Sequence, residues 1–149
     1  VINVQGDEPF VNLNDIKLMH NSLINGDRRE VINGYTEIKE KGKFLSRKIP
    51  KMIIKNDRLL YASRSPIPSN NFDFYGYEQV CIYGFWTHLL KKFLESDKTF
   101  YEKYEDIEIL RFLELGINVR MLELDGSPLH VDTIEDLEKA IQISEKYDI

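Results

Sequence analysis

Val1-Ile2-Asn3-Val4-Gln5-Gly6-Asp7-Glu8-Pro9 decides the fold class. The apolar run ending at Gln5 reads as a short buried strand, and Gly6 and Pro9 break it on either side of Asp7 and Glu8. In an open α/β sheet, ligands collect at strand ends of this kind, and a glycine there lets the backbone approach a ligand closely. Asp7 supplies a hard oxygen ligand suited to Mg²⁺, which takes one or two carboxylates and fills its octahedron with water and phosphate oxygens. A turn that uses Gly and Asp only for their conformational preferences accounts for the same residues.

Outward from this stretch, Ile16, Met19 and Leu23 recur at helical spacing, with Asn14 or a nearby polar residue as the cap. Val31-Ile32 opens another strand, and Met52-Ile53-Ile54 is joined to Leu59-Leu60-Tyr61 across Asn56-Asp57, which predicts a hairpin. Ser65 to Tyr77 carries Pro66, Pro68 and Gly76 and reads as a loop whose aromatic residues form a lid. Val80 to Phe85 is a strand, followed by an amphipathic helix with Trp86, Leu89, Leu90, Phe93 and Leu94 on its apolar face. Ile107, Leu110 and Leu113 predict a helix ending at Gly116, and Val119 to Leu122 returns as a strand. A last helix starts after Asp132 or Thr133, with Ile134, Leu137 and Ile141 on one face. Asp132 reads equally as an N-cap and as a metal ligand, since a capping carboxylate beside a strand end reaches both. Strands alternating with helices imply an α/β sheet.

At 149 residues the chain fits one domain, and no apolar run approaches the ~20 residues needed to span a bilayer. A net charge of -5 disfavours a nucleic-acid partner, because phosphate neutralisation needs clustered cations that acids do not offset. Cys81 is the single cysteine, so an intrachain disulfide and a Cys-rich metal site are excluded and a reducing cytoplasm is expected. His20, His88 and His130 lack the spacing of a metal site or a triad, and Lys48 and Lys51 read as a solvated face, with contact to phosphate as the other reading. The chain opens on a strand already under way, so a truncated N-terminus is expected.

Val1 to Pro9 and Val131-Asp132-Thr133-Ile134-Glu135-Asp136-Leu137 together resemble the two acidic motifs of the 3-deoxy-manno-octulosonate (KDO) cytidylyltransferases, the CMP-KDO synthetases. Between them, Tyr61 to Pro68 resembles the family's Ser-Arg-x-x-Ile-Pro segment, Ile82-Tyr83-Gly84 its Ile-Tyr-Gly/Ala segment, and Glu105 to Arg111 the helix that closes its sugar pocket. The resemblance implies that residues 1–149 are the C-terminal portion of a single domain, a three-layer α/β, Rossmann-like mixed sheet lacking its N-terminal part. It implies CMP transfer from CTP to an acidic sugar with release of pyrophosphate, Mg²⁺ held by Asp7 and Asp132, a homodimer, and a place in lipopolysaccharide biosynthesis. It assigns Arg64 to the sugar's carboxylate, and Gln5, Gly6, Gln79, Tyr83 and Glu108 to substrate binding. Two departures stand out. The family's Gly- and Arg/Lys-containing phosphate loop is absent before Val1, so this fragment is expected to lack full activity. Gln79 and Ile109 replace the usual His and Gln, which leaves open a nonulosonate, an amino-KDO or a phosphonate as the acceptor, and a non-catalytic assembly module as a further reading.

Overall fold

In the strand β5 (Tyr77–Gly84), alternation turns Val80 and Ile82 to one face of the sheet and Tyr83, followed by Phe85, to the other. Two separate cores form on these faces. Met19 and Leu23 of α1 (Leu13–Ile24) cover Ile32, Val80 and Ile82, while Leu89, Ile109, Leu110 and Phe112 cover Tyr83, Phe85, Val31 and Met121. Helix, sheet and helix thus give the three layers expected. The computed structural model describes residues 1–69, 73–126, 129–131 and 133–147.

β1 (Ile2–Val4) and β2 (Val31–Glu37) both pair antiparallel with β5, and β2 pairs parallel with β6 (Val119–Glu123). β3 (Lys51–Lys55) and β4 (Arg58–Ser63) form the predicted hairpin, with Asn56 and Asp57 at φ 51° and 56° as the two-residue turn. Asn and Asp tolerate that left-handed conformation, which matches the twist of the flanking strands. The sheet order is β1-β5-β2-β6-β4-β3, and β3 returns to pair with the start of β5. The sheet therefore curls back on β5. Gly34 lets β2 lie close against Leu124 and Val80, because a Cβ there would lie 2.5 Å from Leu124 Cδ1 and 3.0 Å from Val80 Cβ.

α3 (Thr87–Leu94) buries Leu89 and half-buries Phe93, but leaves Leu94 exposed. The helical segment after it is broken. α4 (Phe100–Glu105) ends on Asp106 in the left-handed conformation, φ 53°, before α5 (Ile109–Glu114) begins and runs out at Gly116. α2 (Lys41–Leu45) is a single turn carrying buried Phe44. In α6 (Ile134–Tyr147), Ile134, Leu137 and Ile141 share a face as predicted, yet all are exposed and Ala140 is the buried residue. Helical periodicity names a face but not what lies against it.

The junction of α3, α4 and α5 is held by a buried ion pair. Arg111 donates from Nε and Nη2 to the two oxygens of Glu102 at 2.6 and 2.5 Å, lies 3.7 Å over the Phe93 ring, and gives Nη1 to the carbonyls of Phe93 and Ser96. Burial pushes the Glu102 carboxyl up, and the guanidinium bonds outweigh this, so it titrates below its ordinary 4.5. Removing one partner strands a buried charge. Arg111→Met is expected to cost about 3 kcal/mol in urea unfolding, and the double variant with Glu102→Gln less than the sum of the singles. Because the folded carboxyl titrates low, the pair's contribution is present above pH 4.5 and is lost as pH falls through the folded value.

Candidate active site

β1 delivers Gln5, Gly6, Asp7 and Glu8 to one end of the sheet, where Glu8 N–H closes a turn on the Gln5 carbonyl at 3.3 Å. Glu8 is buried. Its Oε1 accepts the Cys81 N–H at 3.2 Å and faces His130 Nδ1 at 3.5 Å. Burial is the largest influence on its carboxyl and raises it, with the His130 charge opposing. Among the described residues, Glu8 Oε2 and Asp7 Oδ1 are buried oxygens with no hydrogen-bond partner. Such orphaned carboxylate oxygens are uncommon, and a hard cation is a ligand that would satisfy them.

The second acidic segment reaches this point from the far end of the chain. Asp15 of α1, fully buried, accepts N–H bonds from Asp125 at 3.2 Å and Gly126 at 2.9 Å, fixing the exit from β6. Val131 N–H then donates to the Asp7 carbonyl at 2.9 Å. Asp132 itself lies outside the described residues, as do part of the predicted lid (residues 70–72) and residues 127–128. Among the described residues, no group of three or more His, Cys, Asp and Glu side chains is arranged to hold a metal ion.

Along β5, the pairing with β2 jumps from Asn33↔Tyr83 to Gly34↔Val80, leaving Cys81 and Ile82 as a bulge. Asn33, wholly buried, repairs it by donating Nδ2 to the carbonyls of Val80 at 3.0 Å and Ile82 at 3.2 Å. Its Oδ1 accepts from Gln79 Nε2 at 2.9 Å, and Gln79 Nε2 also donates to Tyr83 Oη at 3.1 Å. Burial holds the Tyr83 phenol well above its ordinary value, so it stays protonated. Gln79 and Tyr83 are thus one unit. The sequence signal for Asn33 was a lone amide inside an apolar strand.

Tyr83 and Glu108 line a cavity of about 270 Å³ together with Asn3, which stands opposite Tyr83 in the strand register. Glu108 is exposed at its mouth. Asp7 and Arg64 are not among its lining residues. A second cavity, about 310 Å³, opens toward Glu78, Asp125 and His130.

Arg64 is engaged by main chain. Nε donates to the Glu105 carbonyl at 2.9 Å, Nη1 to Lys48 at 2.8 Å and Nη2 to Asp106 at 2.8 Å. Two of its five N–H groups are left. Glu105 accepts in turn from Tyr61 Oη, Ser63 Oγ and Arg64 N–H, and burial with that Glu105 bond pushes Tyr61 up to about 12. Lys51 corrects the solvated-face reading. It is fully buried, and its Nζ donates to the carbonyls of Ser46, Ile49 and Arg64 at 2.5, 2.7 and 2.7 Å.

Residues 1–124 match the profile of the family described as Cytidylyltransferase. The chain belongs to that family. The 3-deoxy-manno-octulosonate cytidylyltransferase of Rickettsia prowazekii (strain Madrid E) is 34% identical over 146 residues, 98% of this chain and 58% of the relative. A structure of CMP:2-keto-3-deoxy-manno-octonic acid synthetase complexed with CTP superposes at a TM-score of 0.87 with 27% identity, over 98% of this chain and 61% of that one. The inositol-1-phosphate CTP transferase from T. maritima, at 18% identity, TM-score 0.51 and coverage of 86% and 49%, shares the fold alone. This chain therefore spans about 58% of the length of its curated cytidylyltransferase relative.

Within this chain, the buried ammonium of Lys51 joins three segments of backbone beside Arg64. Lys51→Met leaves three carbonyls without a donor and is expected to lower stability by about 2–4 kcal/mol in thermal unfolding. Lys48→Met, at an exposed position, is expected to stay within about 0.5 kcal/mol.

Proposed function

We propose that the full-length protein transfers CMP from CTP to an acidic sugar such as 3-deoxy-manno-octulosonate and releases pyrophosphate. The observation that carries this is the pair of unpartnered carboxylate oxygens, Asp7 Oδ1 and Glu8 Oε2, at the strand end of a cytidylyltransferase chain. The names of the relatives, one of them complexed with CTP, support the substrates. The absence of a membrane-crossing helix among the described residues is compatible with a cytoplasmic site of action, which is part of the proposal. So is a homodimer, for which the exposed aromatic residues Phe100 and Tyr104 of α4 offer a surface.

In this reading Asp7 and Asp132 would hold Mg²⁺. When bound, that ion supplies positive charge beside the phosphate oxygens and lowers the pKa of the attacking hydroxyl. The sugar's anomeric oxygen forms a bond to the α-phosphorus, the hydroxyl proton passes to solvent water, and the bond from phosphorus to pyrophosphate breaks. A Cβ at Gly6 would meet nothing within 4 Å, which leaves the backbone open to a ligand. Gln5 fixes a sugar hydroxyl or the ribose, Gln79 holds the Tyr83 phenol in place, and Tyr83 and Glu108 bound the sugar. Arg64 offers the two N–H groups not bonded to main chain to the sugar's carboxylate, in competition with Asp106 Oδ2, which lies 3.7 Å from Nη2.

Asp7→Asn and Asp132→Asn are each expected to lower turnover of the full-length protein by two orders of magnitude or more, on the order of an oxyanion-stabilising contact, with circular dichroism unchanged. Near-normal pyrophosphate release at limiting Mg²⁺ would refute the assignment. Arg64→Ala is expected to raise KM for the sugar about ten- to a hundredfold and that for CTP little, as loss of a charge-assisted contact does. Equal weakening of both substrates moves Arg64 to the triphosphate. Arg64→Lys is expected to resemble Arg64→Ala, because an ammonium cannot reproduce the planar fork now shared among three carbonyls.

A further inference from the structure

Asp106 ends α4 in the left-handed conformation, φ 53° and ψ 49°, with its N–H on the Glu102 carbonyl at 2.9 Å. Aspartate and asparagine adopt that conformation more readily than other residues with a side chain. The helix end presents two successive carbonyls, those of Glu105 and Asp106, to Arg64 Nε and Nη2. With the bond from Nη1 to the Lys48 carbonyl, they hold the guanidinium by three of its five N–H groups.

The Asp106 carboxylate arrives with the same turn. Its Oδ2 stands 3.7 Å from Nη2, too far for a hydrogen bond and close enough for an ion pair. The Asp106 side chain is 83% exposed and that of Arg64 35%, so water screens the contact and a ligand can reach the guanidinium.

Charge decides what Asp106 does there. Lys51 and Arg64 bring two positive charges to this corner, and Glu105 brings one carboxylate, whose oxygens are taken by Tyr61, Ser63 and the Arg64 N–H. One positive charge is left over. The Asp106 carboxylate meets that charge, so it both attracts the guanidinium and repels an anion arriving at the free N–H groups. A ligand carboxylate that forms charge-assisted bonds of about 2.7–2.9 Å displaces a partner held at 3.7 Å, but binds less tightly than it would in its absence.

We propose that Asp106 sets the affinity for the acidic sugar, as a competitor for Arg64 that the helix-ending turn of α4 keeps in place. This rests on the reading that Arg64 binds the sugar's carboxylate, and it adds the residue that limits that binding.

The test follows pyrophosphate release by the full-length protein with CTP, Mg²⁺ and 3-deoxy-manno-octulosonate, in the parent, Asp106→Asn, Asp106→Gly, Arg64→Ala and the double variant Arg64→Ala with Asp106→Asn. Asparagine and glycine both accept the left-handed turn and keep its carbonyl, so circular dichroism is expected to be unchanged. Each Asp106 variant is expected to lower KM for the sugar about 1.5- to 5-fold, the range of an exposed ion pair, with kcat and KM for CTP unchanged. In the Arg64→Ala background the effect is expected to vanish. If Arg64→Ala raises KM for the sugar and neither Asp106 variant lowers it, the inference is overturned and the reading of Arg64 stands. An effect that persists without Arg64 overturns it as well, because Asp106 then acts on the substrate directly. An unchanged KM in Arg64→Ala overturns the reading of Arg64 and this inference with it, and failure of the parent to release pyrophosphate overturns CMP transfer itself.

Discussion

The side chain of Asn33 satisfies the two carbonyls that the bulge of β5 leaves without strand partners. The rest of the fold depends on that repair. β5 pairs with β1, β2 and β3, so it must bend between them, and a bend in a buried strand exposes backbone acceptors that no water reaches. With the amide in place, the strand turns while keeping Val80 and Ile82 in one core and Tyr83 in the other. The same amide presents Oδ1 to Gln79, which steadies the Tyr83 phenol. One buried amide thus links the geometry of the sheet to a wall of the candidate sugar cavity.

The first strand, its Gly-Asp turn, the hairpin at Asn56-Asp57 and the helix carrying Met19 and Leu23 were legible because each is written locally, in a period or in a residue that tolerates positive φ. The site's supporting bonds were not. Gln79 meets Asn33 across 46 positions, and Arg64 meets the Glu105 carbonyl across 41. No spacing rule spans such distances, and only the sheet order brings the partners together. Lys51 misled for the same reason, since a lysine beside a proline in a polar stretch gives no local sign of the three carbonyls that enclose its ammonium.

Exposure separates two apolar patterns that look alike in sequence. Leu89 and Phe93 in α3 and Ile134, Leu137 and Ile141 in α6 are both helical faces, but only the first lies against the sheet. The first is a core contact. The second presents three large apolar side chains without cover from the described residues, and its periodicity alone names no partner.

Function at this strand end is best reasoned from the polar atoms that folding leaves uncommitted. Most of the candidate residues have structural duties: Gln79 is shared between Asn33 and Tyr83, Glu105 between Tyr61, Ser63 and Arg64, and three N–H groups of Arg64 hold main chain. Asp7 Oδ1 and Glu8 Oε2 differ. They are buried, so desolvation has been incurred, yet nothing in the described fold offsets it. Lys51, by contrast, is just as deeply buried and fully satisfied, which makes it scaffold rather than ligand site. A buried charge with its bonds complete holds the chain together, and the two uncommitted oxygens at this strand end are what the proposed cation would satisfy.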